Sequence, residues 1–154
     1  MHQIGGHIQG LYETHLPVCN LERSVAFYRD RLGLELARVI QERNVAFLFV
    51  GDARTGMLGL WQAGHGPLHM TLHFAFRATE EVILDSCDRL TAEGISPQGF
   101  YGEQVSEPVV IGWMPALSIY FKDPDGHSIE MLHVMDAPAD PGFGVDSYSA
   151  WKRR

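Results

Sequence analysis

The chain repeats itself, and the repeat limits what it can fold into. Asp30-Arg31-Leu32 returns as Asp88-Arg89-Leu90, an offset of 58 (30 to 88), and the same offset carries His15 onto His73. Farther along, Phe49-Val50-Gly51-Asp52 returns as Tyr120-Phe121-Lys122-Asp123, an offset of 71 (52 to 123), which carries Gly59 onto Glu130. Two similar helix starts, two similar hairpins and one order of elements point to a duplicated unit. Such a unit, with two His and one Glu at related strand positions, is the raw material of a metal site between two half-domains.

The first copy reads as strand, helix, strand, strand, strand. Leu11 to Val18 is an expected strand. Asn20 suits an N-cap for a helix through about Leu32, with Glu22 favourably placed in the first turn. Leu21, Val25, Tyr28 and Leu32 recur at helical spacing and mark the buried stripe. Gly33 ends the helix because it tolerates positive φ. Strands are expected near 35–40, 45–50 and 57–62, with Gly51-Asp52 and Gly56 as turn signals. After a Gly- and Pro-rich linker over 63–68 the order begins again. A strand over 69–76 precedes a helix capped by Thr79 that runs to about Glu93 and stops at Gly94. Residues 95–102 lead to a loose strand or loop. Strands over 116–122 and 128–134 follow, joined by the turn Asp123-Pro124-Asp125-Gly126. The extra length of the second copy falls around Tyr101–Pro115. Beyond Met135 the tail loses all periodicity and is expected to wrap the surface or a neighbouring chain. The expected organisation is one domain over 1–154, with module one at about 9–63, module two at about 69–135 and a C-terminal tail at 136–154.

Bulk properties narrow the function. A length of 154 residues suits a single domain. A formal net charge of −7 argues against nucleic-acid binding, which needs a basic face. No apolar run approaches the roughly 20 residues of a membrane span. The N-terminus has no signal-peptide pattern, so the cytoplasm is the expected location. Cys19 and Cys87 have no short metal spacing and read as reduced, partly buried thiols.

Residues two apart on a strand share a face, so Glu13 and His15 point together, as do Thr71 and His73, and Ser128 and Glu130. If the first strand of each unit and the last strand of the second line one concave sheet, His15, His73 and Glu130 converge. Two imidazoles and a carboxylate suit Mn(II), Fe(II), Zn(II) or Ni(II), with coordination positions left for water or substrate. An incompletely filled shell is what a catalytic metal requires. Trp61, Phe76, Trp113 and Tyr120 are candidates for the substrate pocket. Trp113 lies in the lengthened segment, where an insertion would overhang the site as a lid. His65, His69, His127 and His133 are placed by no motif and read as surface or turn residues. Arg38, Glu42 and Arg43 read as a solvated charged face.

The stretch from His15 to Tyr28 (HLPVCNLERSVAFY), then Leu32-Gly33-Leu34, His73-Phe74-Ala75-Phe76 and the closing segment from Phe121 to Glu130 (FKDPDGHSIE) resemble the vicinal-oxygen-chelate superfamily. This is the glyoxalase, bleomycin-resistance and extradiol-dioxygenase family. The resemblance covers about Leu11 to Val134. It implies an α+β fold of paired βαβββ modules forming an open barrel-like mixed sheet, with a helix outside each module. It also implies a divalent metal, a small-molecule substrate and commonly a homodimer.

The chain departs from the family's pattern twice. Family members carry the first ligand His seven residues before the Asp or Asn that opens the helix, and here that position is Glu13. The internal repeat instead pairs His15 with His73. The first-strand ligand is therefore His15 or Glu13, with His15 favoured and Glu13 taken as the catalytic base or a residue behind the ligands. Glyoxalase I enzymes also carry a Glu where this chain has Gly59, and Gln62 has the wrong parity to replace it. A three-ligand site resembles fosfomycin-resistance enzymes and extradiol dioxygenases better. Expected functions are metal-dependent isomerisation, elimination or epoxide opening. The alternatives are extradiol-type ring cleavage and a non-catalytic antibiotic-binding protein.

Overall fold

A computed structural model describes residues 10–51, 54–63 and 70–154. Most of the linker, together with Asp52, His65 and His69, lies outside the described residues, as does the expected beginning of module one. The chain divides into two compact units, Met1–Met70 and Thr71–Arg154.

In the first unit, β1 (Glu13–Val18), β2 (Glu35–Ile40), β3 (Val45–Val50) and β4 (Gly56–Gln62) form a mixed sheet in the order β1-β4-β3-β2. β1 runs parallel to β4; the other pairs are antiparallel. Helix α1 (Leu21–Ala26) begins at Asn20, whose side chain accepts the Arg23 amide, and continues through a π-turn over Phe27–Arg31. Its stripe of Leu21, Val25 and Tyr28 is buried, as are Leu16, Val18, Ala46, Leu48, Leu58 and Leu60. Alternation along the strands puts these on one face and leaves Glu13, His15, Phe47, Gly59 and Trp61 on the other. Gly33, at φ 75°, ends the helix as expected.

The second unit repeats the plan. Strands β5 (His73–Arg77), β6 (Val109–Ile111), β7 (Ala116–Lys122) and β8 (Ser128–Val134) take the order β5-β8-β7-β6, with β5 parallel to β8. The helical segment opens on Thr79 but is broken at Asp85 into α2 (Glu80–Leu84) and α3 (Ser86–Ala92). The architecture is α+β, two mixed sheets of four and five strands with no closed barrel.

Two expectations change here. Part of the lengthened segment is β6, which answers to β2 of the first unit, and Trp113 sits on the tight turn between β6 and β7. The tail is not irregular. β9 (Val145–Ser147) adds antiparallel to β6 as the fifth strand, and α4 (Tyr148–Trp151) tucks Trp151 against Ile83, Val110 and Leu117. A three-residue strand and a one-turn helix are too short to show periodicity, which is why the sequence hid them.

Candidate functional site

In the second unit, the turn between β7 and β8 sets the position of His73. The Asp123 carboxylate accepts the amides of Asp125 and His127 at 2.9 and 2.8 Å, and Gly126 closes the reversal at φ 85°. That turn presents His127, fully buried, to the start of β5, where its Nδ1 accepts the Leu72 amide at 3.0 Å. His127 is therefore a buried positioning residue and not the surface or turn side chain expected. The neighbouring Ser128 amide donates to the Leu72 carbonyl at 2.8 Å, so both sides of Leu72 are held. His73 follows directly.

The His73 ring is fixed by what it can donate to. Its Nδ1 lies 3.1 Å from the Ser128 carbonyl oxygen, which can only accept. In the neutral ring the proton is therefore on Nδ1 and the lone pair on Nε2. That nitrogen faces Glu130 Oε2 at 3.3 Å. Glu130 is 5% exposed, and its other oxygen accepts from the Tyr120 hydroxyl at 2.9 Å. Burial, reinforced by the charge of Glu130, pushes the Tyr120 phenol above its ordinary pKa, so it remains a donor. An unprotonated imidazole nitrogen facing a carboxylate oxygen is repulsive, and the contact is satisfied either by a proton on Nε2, which makes an ion pair, or by a metal ion between the two atoms. The spacing fits a metal ion as well. Two ligand atoms each about 2.1 Å from one ion are separated by about 3.0 Å at a right angle and about 3.4 Å at the tetrahedral angle. The locked ring and the tethered carboxylate are the outer-shell arrangement that metal-binding His and Glu side chains use.

The first unit also holds a His–Glu pair, built differently. His15 Nε2 lies 3.3 Å from Glu13 Oε1. Here the Trp61 indole N–H, which can only donate, sits 2.6 Å from His15 Nδ1. Nδ1 must accept, so Nε2 carries the proton and donates to Glu13. The ring packs edge-on to Phe47, with centroids 6.0 Å apart, and lies over Gly59. A Cβ at residue 59 would collide with His15 Nδ1 and approach Cε1 to 2.8 Å. Arg43 stacks its guanidinium over Trp61 at 4.6 Å, so it is engaged with the ring and not merely solvated.

Sheet register revises the internal equivalence. In the second unit His73 lies opposite Ser128, and Ala75 opposite Glu130. In the first, Glu13 lies opposite Met57, and His15 opposite Gly59. Glu13 is thus the counterpart of His73, and His15 the counterpart of Ala75. The repeat offset drifts from 60 at the strands (13 to 73) to 59 at the caps (20 to 79) and 58 within the helices (30 to 88), because the second copy is one residue shorter before its cap and one shorter along its helical segment, where the first copy has a π-turn. The offset of 58 that paired His15 with His73 belongs to the helix alone. Large and small residues also exchange strands: His15 beside Gly59 in one unit, Ala75 beside Glu130 in the other.

Of the aromatic candidates, Trp61 touches His15, while Tyr120 touches both Glu130 and His73. Phe76 is on the opposite face of β5 from His73 and packs edge-to-face with Phe74. Trp113 is 62% exposed. Gln62 points to the helix side, where it accepts the Leu21 amide. Among the described residues no three His, Cys, Asp or Glu side chains form a ready-made metal shell; each unit offers a pair. Cys19 is exposed and Cys87 buried, and neither forms a disulfide. The structural roles of His127 and of the Ser128 carbonyl escaped the sequence reading, since backbone acceptors leave no residue-type signal.

Comparison with known proteins agrees with this architecture. The family model described as Glyoxalase/Bleomycin resistance protein/Dioxygenase superfamily matches residues 6–131. The chain belongs to that superfamily. It is 30% identical over 129 residues to a glutathione transferase, FosA, of Serratia marcescens, covering 82% of both chains. It is 26% identical to a probable lactoylglutathione lyase of Vibrio parahaemolyticus, covering 84% of this chain and 94% of that one. Among solved structures, an integron cassette protein from a sewage-outfall metagenome at Halifax Harbour superposes with a TM-score of 0.71 at 35% identity. The match covers 81% of this chain and 98% of that one. A lactoylglutathione lyase from Agrobacterium tumefaciens superposes with a TM-score of 0.61 at 25% identity, covering 81% and 93%. No helix among the described residues is long and apolar enough to cross a membrane.

Proposed function

We propose that the chain is a divalent-metal-dependent enzyme of this superfamily acting on a small, oxygen-rich substrate, with His73 and Glu130 as metal ligands. One observation carries the reading: the Ser128 carbonyl engages His73 Nδ1, so that Nε2 meets a buried carboxylate whose other oxygen Tyr120 holds. A divalent ion held there, whether Mn, Fe, Zn or Ni, supplies Lewis-acid stabilisation of negative charge growing on a substrate oxygen. The protein's part is to keep donors in place. Ser128 and Tyr120 do so by hydrogen bonds, and the turn at Asp123 does so through His127 and Leu72. Glu13, exposed on β1 of the first unit, is the carboxylate we take as the general base.

Isomerisation, elimination and epoxide opening all draw on this chemistry, and ring cleavage is the alternative within the enzyme class. The names of two relatives make glutathione the first co-substrate to supply. A homodimer is the proposed assembly, as the resemblance to this superfamily implies.

The test is metal content of freshly purified protein beside His73→Ala, followed by a screen of epoxides and 2-oxoaldehydes with glutathione. About one ion per chain, lost in the variant, supports the proposal. A parent that is empty and takes up none of the four metals points instead to a ligand-binding protein. His15→Ala in the same series tests the expectation from the repeat that His15 is a further ligand.

A further inference from the structure

Gly59 and Trp61 together give His15 an assignment that its sequence position does not. We propose that His15 is a positioning residue: Trp61 locks it in the Nε2–H tautomer, and the ring then holds and aims the Glu13 carboxylate. The inference rests on the preceding reading only in treating Glu13 as the functional carboxylate; the tautomer argument stands on geometry alone.

Three observations converge. The indole N–H is a donor without acceptor capacity, so its 2.6 Å approach to Nδ1 leaves Nε2 as the protonated nitrogen. That nitrogen points at Glu13 Oε1 from 3.3 Å, donor toward acceptor. Gly59 removes the side chain that would otherwise collide with the ring, and in the second unit the residue at that sheet position is Glu130. A neutral His15 so held has no free lone pair on Nε2, because that nitrogen carries its only proton. It cannot ligate a metal there without breaking the Trp61 bond. His73 is the mirror case: its Nδ1 meets a carbonyl, so the neutral ring carries its lone pair on Nε2. The two imidazoles are held in opposite tautomers for opposite work: His73 presents a lone pair, and His15 presents a hydrogen-bond donor to the carboxylate that occupies the place of His73 in the first unit. Glu13 then keeps one oxygen bonded to His15 and the other open as a proton acceptor.

Long-range proton–nitrogen spectra of uniformly labelled protein read the tautomer directly. The expected result is a His15 Nε2–H ring in the parent, with mixed tautomers in Trp61→Phe and in Gly59→Ala, which displaces the ring. Metal content gives a second readout that does not require turnover. His15→Ala and His15→Gln keep the metal that His73→Ala loses, and in turnover the Gln variant, which retains an N–H donor, recovers more kcat than the Ala variant. A His15 ring protonated on Nδ1 in the parent overturns the proposal, as does loss of metal in His15→Ala equal to that in His73→Ala. Metal retained by His73→Ala overturns instead the proposed function and leaves the tautomer result standing.

Discussion

Replacing Tyr120 with Phe removes one oxygen from the second unit and tests what that oxygen does. The Tyr120 hydroxyl donates to Glu130 Oε1 at 2.9 Å, and the two residues are 8% and 5% exposed. Water therefore cannot readily replace the lost donor. A hydrogen bond to a charged group is worth about 1.5–3 kcal/mol, and the penalty rises when a buried acceptor is left without its partner. Converted at about 1.4 kcal/mol per decade, this predicts a loss of about 10- to 150-fold in metal affinity as the carboxylate becomes free to turn. The range agrees with the cost of losing the outer partner of a metal ligand elsewhere. The assay is competition with a chelator at neutral pH, with urea unfolding of the metal-free protein alongside. Tyr101→Phe is the control, because Tyr101 is 78% exposed. Tyr120→Phe with parent affinity within threefold and an unchanged unfolding midpoint would refute the view that Tyr120 holds Glu130.

Three further outcomes are expected. His127→Ala leaves the Leu72 amide without its acceptor inside the protein; it lowers stability by at least about 2 kcal/mol and weakens metal binding tenfold or more, read by urea unfolding and chelator competition. The Cys87 thiol is raised by burial, and then by Asp88 and Glu107, from 9.0 to about 11. Between those values the unfolded chain binds fewer protons than the folded one, so stability falls as pH rises from 9 to 11, by about 2–3 kcal/mol, and Cys87→Ala flattens that arm of a melting series. Trp151→Ala empties a site lined by Ile83, Val110 and Leu117 and costs about 3–5 kcal/mol in urea unfolding, releasing β9 as seen by amide exchange.

Much of this was legible in the chain because local rules and global fold agree. Asn20 and Thr79 cap helices as their side chains dictate, Gly33 ends one at positive φ, and the buried stripe of Leu21, Val25 and Tyr28 follows the helical period. The strands of both units fall within a few residues of their sequence-based bounds, β6 and β9 excepted. The site was legible by half. A sequence pattern places His73 and Glu130 on neighbouring strands but does not show that Ser128 offers its carbonyl, since every residue has one. Register decides which first-strand residue answers to His73, and a repeat offset measured on a helix misses it by two residues when the copies differ in length before and within the helix. A shift of two preserves parity, so it names the wrong side chain on the right face. Gly59 carried the missing signal: a glycine where the second unit has Glu130 leaves space for a neighbour, and that neighbour is His15.

His73 and Glu130 are proposed to hold one metal ion between them. Calorimetric titration of metal-free protein with Mn(II), Fe(II), Zn(II) and Ni(II), beside His73→Ala and Glu130→Gln, measures this directly. One ion bound per chain by the parent, with affinity reduced at least a hundredfold in both variants, is the predicted result. A parent that binds none of the four, or variants that bind as the parent does, would contradict it.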